Sequence, residues 1–120
     1  MNKIKNALIT GGLGGIGFDI CKYFISKGYN LIIADNLPNN KFNAILSNNL
    51  IKCNKNKIFY KKVDLTKSIQ IKKLFQSLKK IISPIHVLIN CAGLQHVSPI
   101  ENFSEKMWEK VISTNLSSSF

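Results

Sequence analysis

The sequence contains no arginine, although it carries a formal net charge of +11 from 17 basic and six acidic residues. Arginine is the side chain that makes most bidentate contacts to phosphates and base edges. The lysines are scattered along the chain, apart from pairs such as Lys61-Lys62 and Lys79-Lys80. Nucleic acid is therefore not expected as a partner, and we interpret the charge as a solvated surface.

Cysteine and long apolar runs are also scarce. Cys21, Cys53 and Cys91 form no CxxC pair and no metal-like cluster, so we expect no metal site and interpret them as thiols in a reducing compartment. No segment approaches the roughly 20 apolar residues of a membrane span. The apolar run near the start is shorter than the roughly 7–15 residues of a signal-peptide core. A soluble cytoplasmic protein that does not enter a membrane is expected by default.

Short apolar runs alternate with segments of helical periodicity. The runs predict buried strands at residues 7–10, 31–34, 58–63 and 87–89. The segments predict helices at residues 15–27, from about 42 to Leu50, 67–82 and from 105 towards Asn115. Strands buried on both faces and alternating with helices predict an α/β fold, a Rossmann-type doubly wound parallel sheet in the order β-α-β-α-β-α-β-α. Residues 1–120 are expected to form one domain.

The helical segments also predict their own faces and ends. Ile16, Ile20, Tyr23 and Phe24 fit the spacing of an apolar face on the first helix, so we expect them to face the core. Lys27 followed by Gly28 is a typical helix stop. Thr66 and Ser104 are expected to cap the third and fourth helices. The third helix has one clear apolar face, made by Ile71, Leu74, Phe75, Leu78, Ile81 and Ile82.

A glycine-rich turn joins the first strand to the first helix. Residues 10–17 read TGGLGGIG, so the turn follows a strand and opens a helix. Glycines allow a tight turn and a close approach of a diphosphate to the backbone, while free amides and the helix dipole favour its charge. The turn therefore predicts a dinucleotide site that includes Gly11, Gly15, Ile16 and Gly17.

An acidic residue, Asp35, closes the second strand 18 positions after Gly17. A carboxylate at this place can accept hydrogen bonds from the adenosine ribose and would repel the 2′-phosphate of NADP. No lysine or arginine is expected beside it, and Gly14 occupies a loop position where a basic residue could have met that phosphate. NAD is therefore the predicted cofactor.

Four sequence elements together resemble the short-chain dehydrogenase/reductase family. They are the T-G-x-x-x-G-x-G turn, Val63-Asp64-Leu65-Thr66, Asn90-Cys91-Ala92-Gly93 and the helix from Trp108 to Asn115-Leu116, in family order and at family spacing. The resemblance implies that Asp64 and Leu65 contact adenine, that Asn90, Ala92 and Gly93 bind cofactor, and that Asn115 is catalytic. Cys91 departs from the family's usual second asparagine, which is expected to cost one hydrogen bond.

The resemblance implies hydride transfer between a nicotinamide and a hydroxyl or keto carbon by an asparagine, a serine, a tyrosine and a lysine. Asn115 alone has a match, so the other three are expected beyond Phe120. Residues 1–120 are then an NAD(P)-binding domain truncated before the catalytic segment. Such a chain is expected to be inactive alone and poorly soluble. Tyr23 and Lys27 also spell Tyr-x-x-x-Lys, but they lie on the first helix and are not expected to be catalytic.

The loop at residues 94–103 resembles that of D-3-hydroxybutyrate dehydrogenases. This implies a small hydroxy or keto acid as substrate, namely 3-hydroxybutyrate or acetoacetate, with Gln95 contacting its carboxylate, and a homo-tetrameric full-length protein. Two alternatives stay open. One is a reductase of 3-oxoacyl thioesters, which usually uses NADPH, and the other is a non-catalytic dinucleotide-binding module.

Overall fold

The computed structural model describes residues 3–47 and 57–120, so Cys53 and the end of the helix predicted to reach Leu50 lie outside the described residues. The strands are β1 (Asn6–Thr10), β2 (Asn30–Asp35), β3 (Ile58–Lys62) and β4 (Val87–Asn90). The helices are α1 (Gly15–Ser26), α2 (Asn39–Ser47), α3 (Ser68–Ile81) and α4 (Glu105–Asn115). Within the described ranges, none of the helices combines the length and the apolar character needed to cross a membrane.

The four strands form one parallel sheet in the order β3-β2-β1-β4. The chain moves outward from β1 through β2 to β3 and then returns to the other side of β1 for β4. The strand order therefore reverses between β1 and β4, which is the topological switch point of a doubly wound sheet. The predicted α/β architecture and the predicted element order are confirmed.

Successive strand residues point to opposite faces of the sheet, and both of these faces are buried. Ala7, Ile9, Leu31 and Ile33 pack in one cluster with Cys21 of α1 and Phe42 of α2. Leu8, Ile32 and Ala34 pack on the opposite face with Leu74 and Leu78 of α3. The sheet residues of both clusters are fully buried. Helices therefore cover both faces, and the loops at the carboxyl ends of the strands are left to form a site.

The face of α1 agrees only in part with the predicted one, because Ile20 and Phe24 pack against the core as expected. Ile16 is 75% exposed and Tyr23 is 58% exposed, so neither faces the core as expected. The buried residues of α1 are Gly17 and Cys21, with Phe24 packed partly against the same cluster. Small side chains at these two positions let the helix lie close to the sheet, and Phe18, Ile20 and Ile25 also pack partly against the cluster. Spacing alone did not reveal this, because a glycine carries no hydrophobic signal.

Helix ends follow the sequence with two exceptions, one of which is the start of α2 at Asn39, about three residues before its predicted start. Ser104 caps α4, its hydroxyl accepting a hydrogen bond from the amide of Met107 at 3.2 Å. Gly28 follows α1 with a φ of 82°, as expected of a glycine just past a helix. Thr66 was predicted to cap α3, but the N-cap is Lys67. The Thr66 hydroxyl donates instead to Asp64 Oδ1 at 2.6 Å, which removes it from capping.

The β4 side of the molecule is the least covered. Strand β4 lies at an edge of the sheet and pairs with β1 alone among the described strands. Leu88 of β4 is 46% exposed, and α4 contains no buried residue. Trp108 on α4 is 56% exposed. Strand β4 therefore combines an open edge with a half-exposed leucine.

Candidate functional site

A cleft of about 1100 Å³ opens at the carboxyl ends of the strands. It is slightly larger than the roughly 300–1,000 Å³ typical of small-molecule pockets, and it lies where ligands bind in open α/β sheets. Nine of the predicted site residues line it: Gly11, Gly15, Ile16, Gly17, Asp35, Asp64, Leu65, Ala92 and Gly93. Asn90, Gln95 and Asn115 do not line it.

The glycine turn is held by close backbone contacts. Gly11 has a φ of 64°, and its amide donates to the carbonyl of Ala34 at 2.8 Å. A Cβ on Gly11 would lie 2.7 Å from Cα of Ala92. A Cβ on Gly17 would lie 2.2 Å from the carbonyl oxygen of Gly11. Only glycine fits these two positions, because any side chain would displace backbone.

The first turn of α1 offers unpaired amides to the cleft. The first helical bond runs from the amide of Phe18 to the carbonyl of Gly14, so the amides of residues 15–17 have no acceptor within the helix. Gly14 is the N-cap and supplies no side-chain cap, and the first turn contains no acidic residue. A Cβ on Gly15 would meet nothing within 4 Å. This open space, with donors and the positive end of the helix dipole, fits a diphosphate group.

Asp35 stands between the glycine turn and the loop that follows β2. Its Oδ2 accepts a hydrogen bond from the amide of Leu13 at 3.1 Å. Its Oδ1 accepts from the amides of Asn36 at 2.8 Å and Leu37 at 3.4 Å. The carboxylate therefore orders both loops while it lines the cleft. The sequence predicted its position but not these partners.

Thr10 is a site-building residue that the sequence analysis missed. Its hydroxyl accepts hydrogen bonds from the amides of Cys91 and Ala92, each at 3.1 Å. Thr10 ends β1, so this hydroxyl joins the glycine turn to the loop that follows β4. A signal was available, because Thr10 stands immediately before the glycine cluster at the end of a buried strand. Interactions between neighbouring strand ends cannot be read from local periodicity.

Asp64 follows β3 and forms a local turn at the cleft. Its Oδ1 accepts from the hydroxyl of Thr66 at 2.6 Å and from the amide of Thr66 at 3.0 Å. These two bonds, with weaker attraction from Lys67 and Lys110, hold the pKa of Asp64 below its ordinary value against the opposing effect of burial. The carboxylate is therefore ionised at neutral pH and faces the cleft beside Leu65.

Lysine side chains also line the cleft, and the sequence analysis did not place them there. Lys62, Lys67 and Lys110 come from β3, from the N-cap of α3 and from α4. The expectation that no lysine lies beside Asp35 is wrong for the folded chain, because Lys62 is its register partner on the neighbouring strand. The lysine is 27 positions away in sequence, so only the sheet register could reveal it.

Tyr60 stabilises the loop that follows β2, next to Asp35. Its hydroxyl donates to the carbonyl of Leu37 and lies 3.3 Å from the carbonyl of Asp35. Its ring stacks on Phe42 of α2 with ring centres 4.7 Å apart. Burial, with the negative charge of Asp35, raises the pKa of Tyr60 to about 12. Tyr60 is therefore a neutral hydrogen-bond donor that fixes the loop after β2.

Asn115, at the end of α4, bonds to the backbone of the loop after β4. Its Oδ1 accepts from the amide of Leu94 at 2.7 Å, and its Nδ2 donates to the carbonyl of Leu94 at 2.8 Å. Asn115 is exposed and lies beside Gly93, where a Cβ would be 3.7 Å from Oδ1. The carboxamide therefore holds this loop at the mouth of the cleft.

The other predicted residues near β4 lie outside the cleft lining. Asn90 pairs in register with Thr10 and is exposed. Gln95 is exposed on the loop that begins after Gly93. Tyr23 on α1 and Lys27 at its C-cap, which form the Tyr-x-x-x-Lys pair, do not line the cleft.

The two described cysteines are free thiols in different surroundings. Cys21 is fully buried, and burial raises its pKa to about 12, so this thiol stays protonated. Cys91 is half-buried and lines the cleft at the position where the family pattern has asparagine. Its amide donates to Thr10, so the backbone of this loop is satisfied without an asparagine side chain. No group of three or more potential metal ligands occurs in the parts of the chain that the structure describes.

Comparison with known proteins adds independent findings. The family model described as short chain dehydrogenase matches residues 5–120. The D-beta-hydroxybutyrate dehydrogenase of Cupriavidus necator is 30% identical over 118 residues, covering 97% of this chain and 44% of that protein. The 3-oxoacyl-acyl-carrier-protein reductase of Chlamydia trachomatis is 31% identical over 114 residues, covering 95% of this chain and 45% of that protein.

Solved structures of other dehydrogenases are also similar to this chain. A 4-hydroxyisoleucine dehydrogenase complexed with NADH matches with a TM-score of 0.82 and 30% identity, over 97% of this chain and 45% of that one. An alcohol dehydrogenase from Thermococcus sibiricus matches with a TM-score of 0.86 and 24% identity, over 97% of this chain and 48% of that one, which supports the fold. The chain spans less than half the length of the curated relatives named above.

Proposed function

This chain belongs to the short-chain dehydrogenase family, an oxidoreductase family, and on that premise we propose that it binds NAD in the cleft at the carboxyl ends of the strands. The whole protein would transfer a hydride between the nicotinamide and a hydroxyl or keto carbon. The first turn of α1 carries the proposal: it presents amides with no helical acceptor to a cleft that Asp35 also lines. We propose residues 1–120 as one cofactor-binding domain.

The residues present fit a dinucleotide. The open space at Gly15 and the amides of residues 15–17 would hold the diphosphate. Asp35 would accept a ribose hydroxyl, and Asp64 and Leu65 would flank the adenine. Ala92 and Gly93 would pass beneath the nicotinamide half, with Asn90 supporting that loop from the end of β4. When bound, the nicotinamide ring supplies or accepts the hydride.

Asn115 is proposed as the catalytic asparagine on the basis of the family resemblance. In this chain its side chain pairs with both backbone groups of Leu94, so it would act by holding the loop that leads to Gln95. Gln95 is the proposed contact to a substrate carboxylate, since a neutral amide can donate to it without a charge of its own.

We propose 3-hydroxybutyrate or acetoacetate as the substrate. The resemblance of residues 94–103 and the likeness to the Cupriavidus necator enzyme support this choice. The likeness to the Chlamydia trachomatis reductase supports a 3-oxoacyl thioester as the second candidate. Comparing kcat/KM for 3-hydroxybutyrate with NAD against an acetoacetyl thioester with NADPH separates the two, because each candidate requires its own substrate to be preferred.

The full-length protein is further proposed to be a cytoplasmic homo-tetramer. The free thiols Cys21 and Cys91 suit a reducing compartment. Sedimentation equilibrium of the full natural protein would test the assembly, and a dimer or monomer would contradict it.

Calorimetric titration of the full natural protein with NADH tests the cofactor site. Asp35→Asn removes one acceptor from the ribose corner, so we expect NADH affinity to fall by about tenfold, the value of one charge-assisted hydrogen bond. The matched control is Asp19→Asn, which removes the same charge from an exposed residue paired with Lys22 on α1. Absence of NADH binding by the wild-type protein, or equal losses in both variants, would contradict the proposal.

A further inference from the structure

A second cavity, of about 330 Å³, lies at the amino ends of the strands, at the edge of the sheet opposite the cofactor cleft. Its volume is at the lower end of the range that is typical of small-molecule pockets. Its apolar lining includes the buried Ile82, the half-buried Phe59 and the half-exposed Ile4 and Ile81. The cavity can therefore accommodate the apolar part of a small molecule.

A network of side-chain amides fixes the polar wall of this cavity. Asn6 and Asn30 are the first residues of β1 and β2. The Nδ2 of Asn30 donates to Oδ1 of Asn6 at 3.0 Å, and the Nδ2 of Asn6 donates to the carbonyl of Pro84 at 2.8 Å. The Oδ1 of Asn30 accepts from the amide of Lys57 at 2.9 Å. Both side-chain oxygens are therefore engaged within the chain, and the backbone of Lys57 is held beside the cavity.

The lining groups that are left for a ligand are mainly donors. The Nδ1 of His86 accepts a hydrogen bond from the amide of Asn6 at 3.0 Å, so the Nε2 of the neutral ring carries the proton and can donate it. Lys3 and Lys57 also line the cavity, and both are exposed. An ammonium group donates hydrogen bonds and accepts none. Such a lining favours a ligand group that only accepts hydrogen bonds, as an ionised carboxylate does.

The charges around this edge of the sheet also favour an anion. Helices α1 and α3 both run back to this edge, where their carbonyl ends carry a partial negative charge. Lys27 at the C-cap of α1, and Lys79 and Lys80 in the last turn of α3, offset that charge. None of the six acidic residues of the chain lines the cavity; they are Asp19, Asp35, Asp64, Glu101, Glu105 and Glu109. An anion therefore meets no lining carboxylate here.

We propose that this cavity binds a small carboxylate that carries an apolar body. The carboxylate would lie among the ammonium groups of Lys3 and Lys57 and the Nε2 of His86. The apolar body would lie against Phe59 and Ile82, which inorganic phosphate could not use. The site goes beyond the proposed function, because the dinucleotide and the substrate of hydride transfer would both occupy the opposite edge of the sheet.

The test titrates benzoate into the full natural protein and follows saturation-transfer difference NMR. The matched ligand is benzamide, which has the same ring without the negative charge. We expect benzoate to saturate with a Kd on the order of 1 mM, as for a ligand that is held by screened ion pairs and one apolar contact. Benzamide should bind about fivefold or more weakly, because it loses the attraction to the lysines.

Three variants locate the site. Lys57→Gln and Lys3→Gln should each weaken benzoate by about fivefold, the value of one solvent-exposed ion pair. The matched control is Lys72→Gln, which removes the same charge from an exposed residue of α3 outside the cavity lining and should leave the Kd unchanged. Lys57→Gln should also leave the Kd of NADH unchanged, because Lys57 does not line the cofactor cleft.

The outcomes separate this inference from the proposed function. Benzoate that does not saturate, or that binds no more tightly than benzamide, overturns the carboxylate site. Equal losses in Lys57→Gln and Lys72→Gln would mean that net charge alone attracts benzoate, which also overturns it. A wild-type protein that binds benzoate as expected but no NADH would contradict the proposed function and leave this site standing.

Discussion

Adding one methyl group at Gly17 or at Gly15 tests the glycine turn at the scale of a residue. Gly17→Ala places a Cβ 2.2 Å from the carbonyl oxygen of Gly11, so backbone must move. We expect the free energy of unfolding to fall by about 1–3 kcal/mol. Gly15→Ala meets nothing within 4 Å, and alanine favours a helix by up to about 1 kcal/mol, so stability should be unchanged or slightly higher. Urea denaturation of both variants checks this, and equal midpoints would refute it.

The lowered pKa of Asp64 makes a second prediction, on pH dependence. A carboxyl group whose pKa is lower in the folded than in the unfolded protein stabilises the fold above its unfolded pKa. That contribution is lost as the pH falls through the folded pKa, where the group becomes protonated. Asp64→Asn should therefore be less stable than the wild-type protein near pH 7, and the difference should disappear at strongly acidic pH.

The difference for Asp64→Asn should stay below about 1 kcal/mol, because solvent screens this carboxylate. Urea denaturation between pH 2 and pH 7 measures it. Thr66→Val removes the hydroxyl that contributes most to the lowered pKa. In that background the effect of Asp64→Asn should shrink. A constant difference across the pH range would mean that the carboxyl group titrates alike in both states.

At the scale of an element, α1 packs through only half of the face that its pattern indicated, because Ile20 and Phe24 pack against the core whereas Ile16 and Tyr23 are exposed. Phe24 lies in the core cluster, with its ring edge-to-face on Tyr29 at 5.0 Å, whereas the adjacent Tyr23 is 58% exposed. Phe24→Ala should lower the free energy of unfolding by about 2–4 kcal/mol through a cavity. Tyr23→Ala should cost less than about 1 kcal/mol. Chemical denaturation of the pair decides between this face and the predicted one, which would require a large loss at Tyr23.

The elements themselves could be predicted, because each strand is a short apolar run and each helix is periodic. The packed face of α1 could be predicted only in part: Ile20 and Phe24 follow the spacing, whereas the burial of Gly17 and Cys21 depends on how closely the helix approaches the sheet. The prediction that Thr66 caps α3 is wrong because the Thr66 hydroxyl donates to Asp64 instead. In the site, the residues of the glycine turn could be predicted because they are contiguous in sequence. The proximity of Asp35 and Lys62 could not, because it depends on the register of β2 and β3.

At the scale of the whole molecule, the β4 side determines how a chain of these 120 residues would behave by itself. The open edge of β4 carries the half-exposed Leu88. Such an edge is a template for pairing with another chain. We expect association that increases with protein concentration, measured by sedimentation velocity. Leu88→Lys should reduce it, while Ile69→Lys, on an exposed site of α3, should not. A concentration-independent monomer would contradict this expectation.

The hydroxyl of Thr10 has a consequence for the order in which ligands arrive. It joins the turn proposed for the diphosphate to the amides of Cys91 and Ala92, and Asn115 continues the connection from Leu94 onward. A dinucleotide bound to the glycine turn would therefore restrict the motion of the loop after β4, which is the loop that a carbonyl substrate would approach. Steady-state kinetics of the full natural protein should then show an ordered mechanism, in which the dinucleotide binds first and dissociates last.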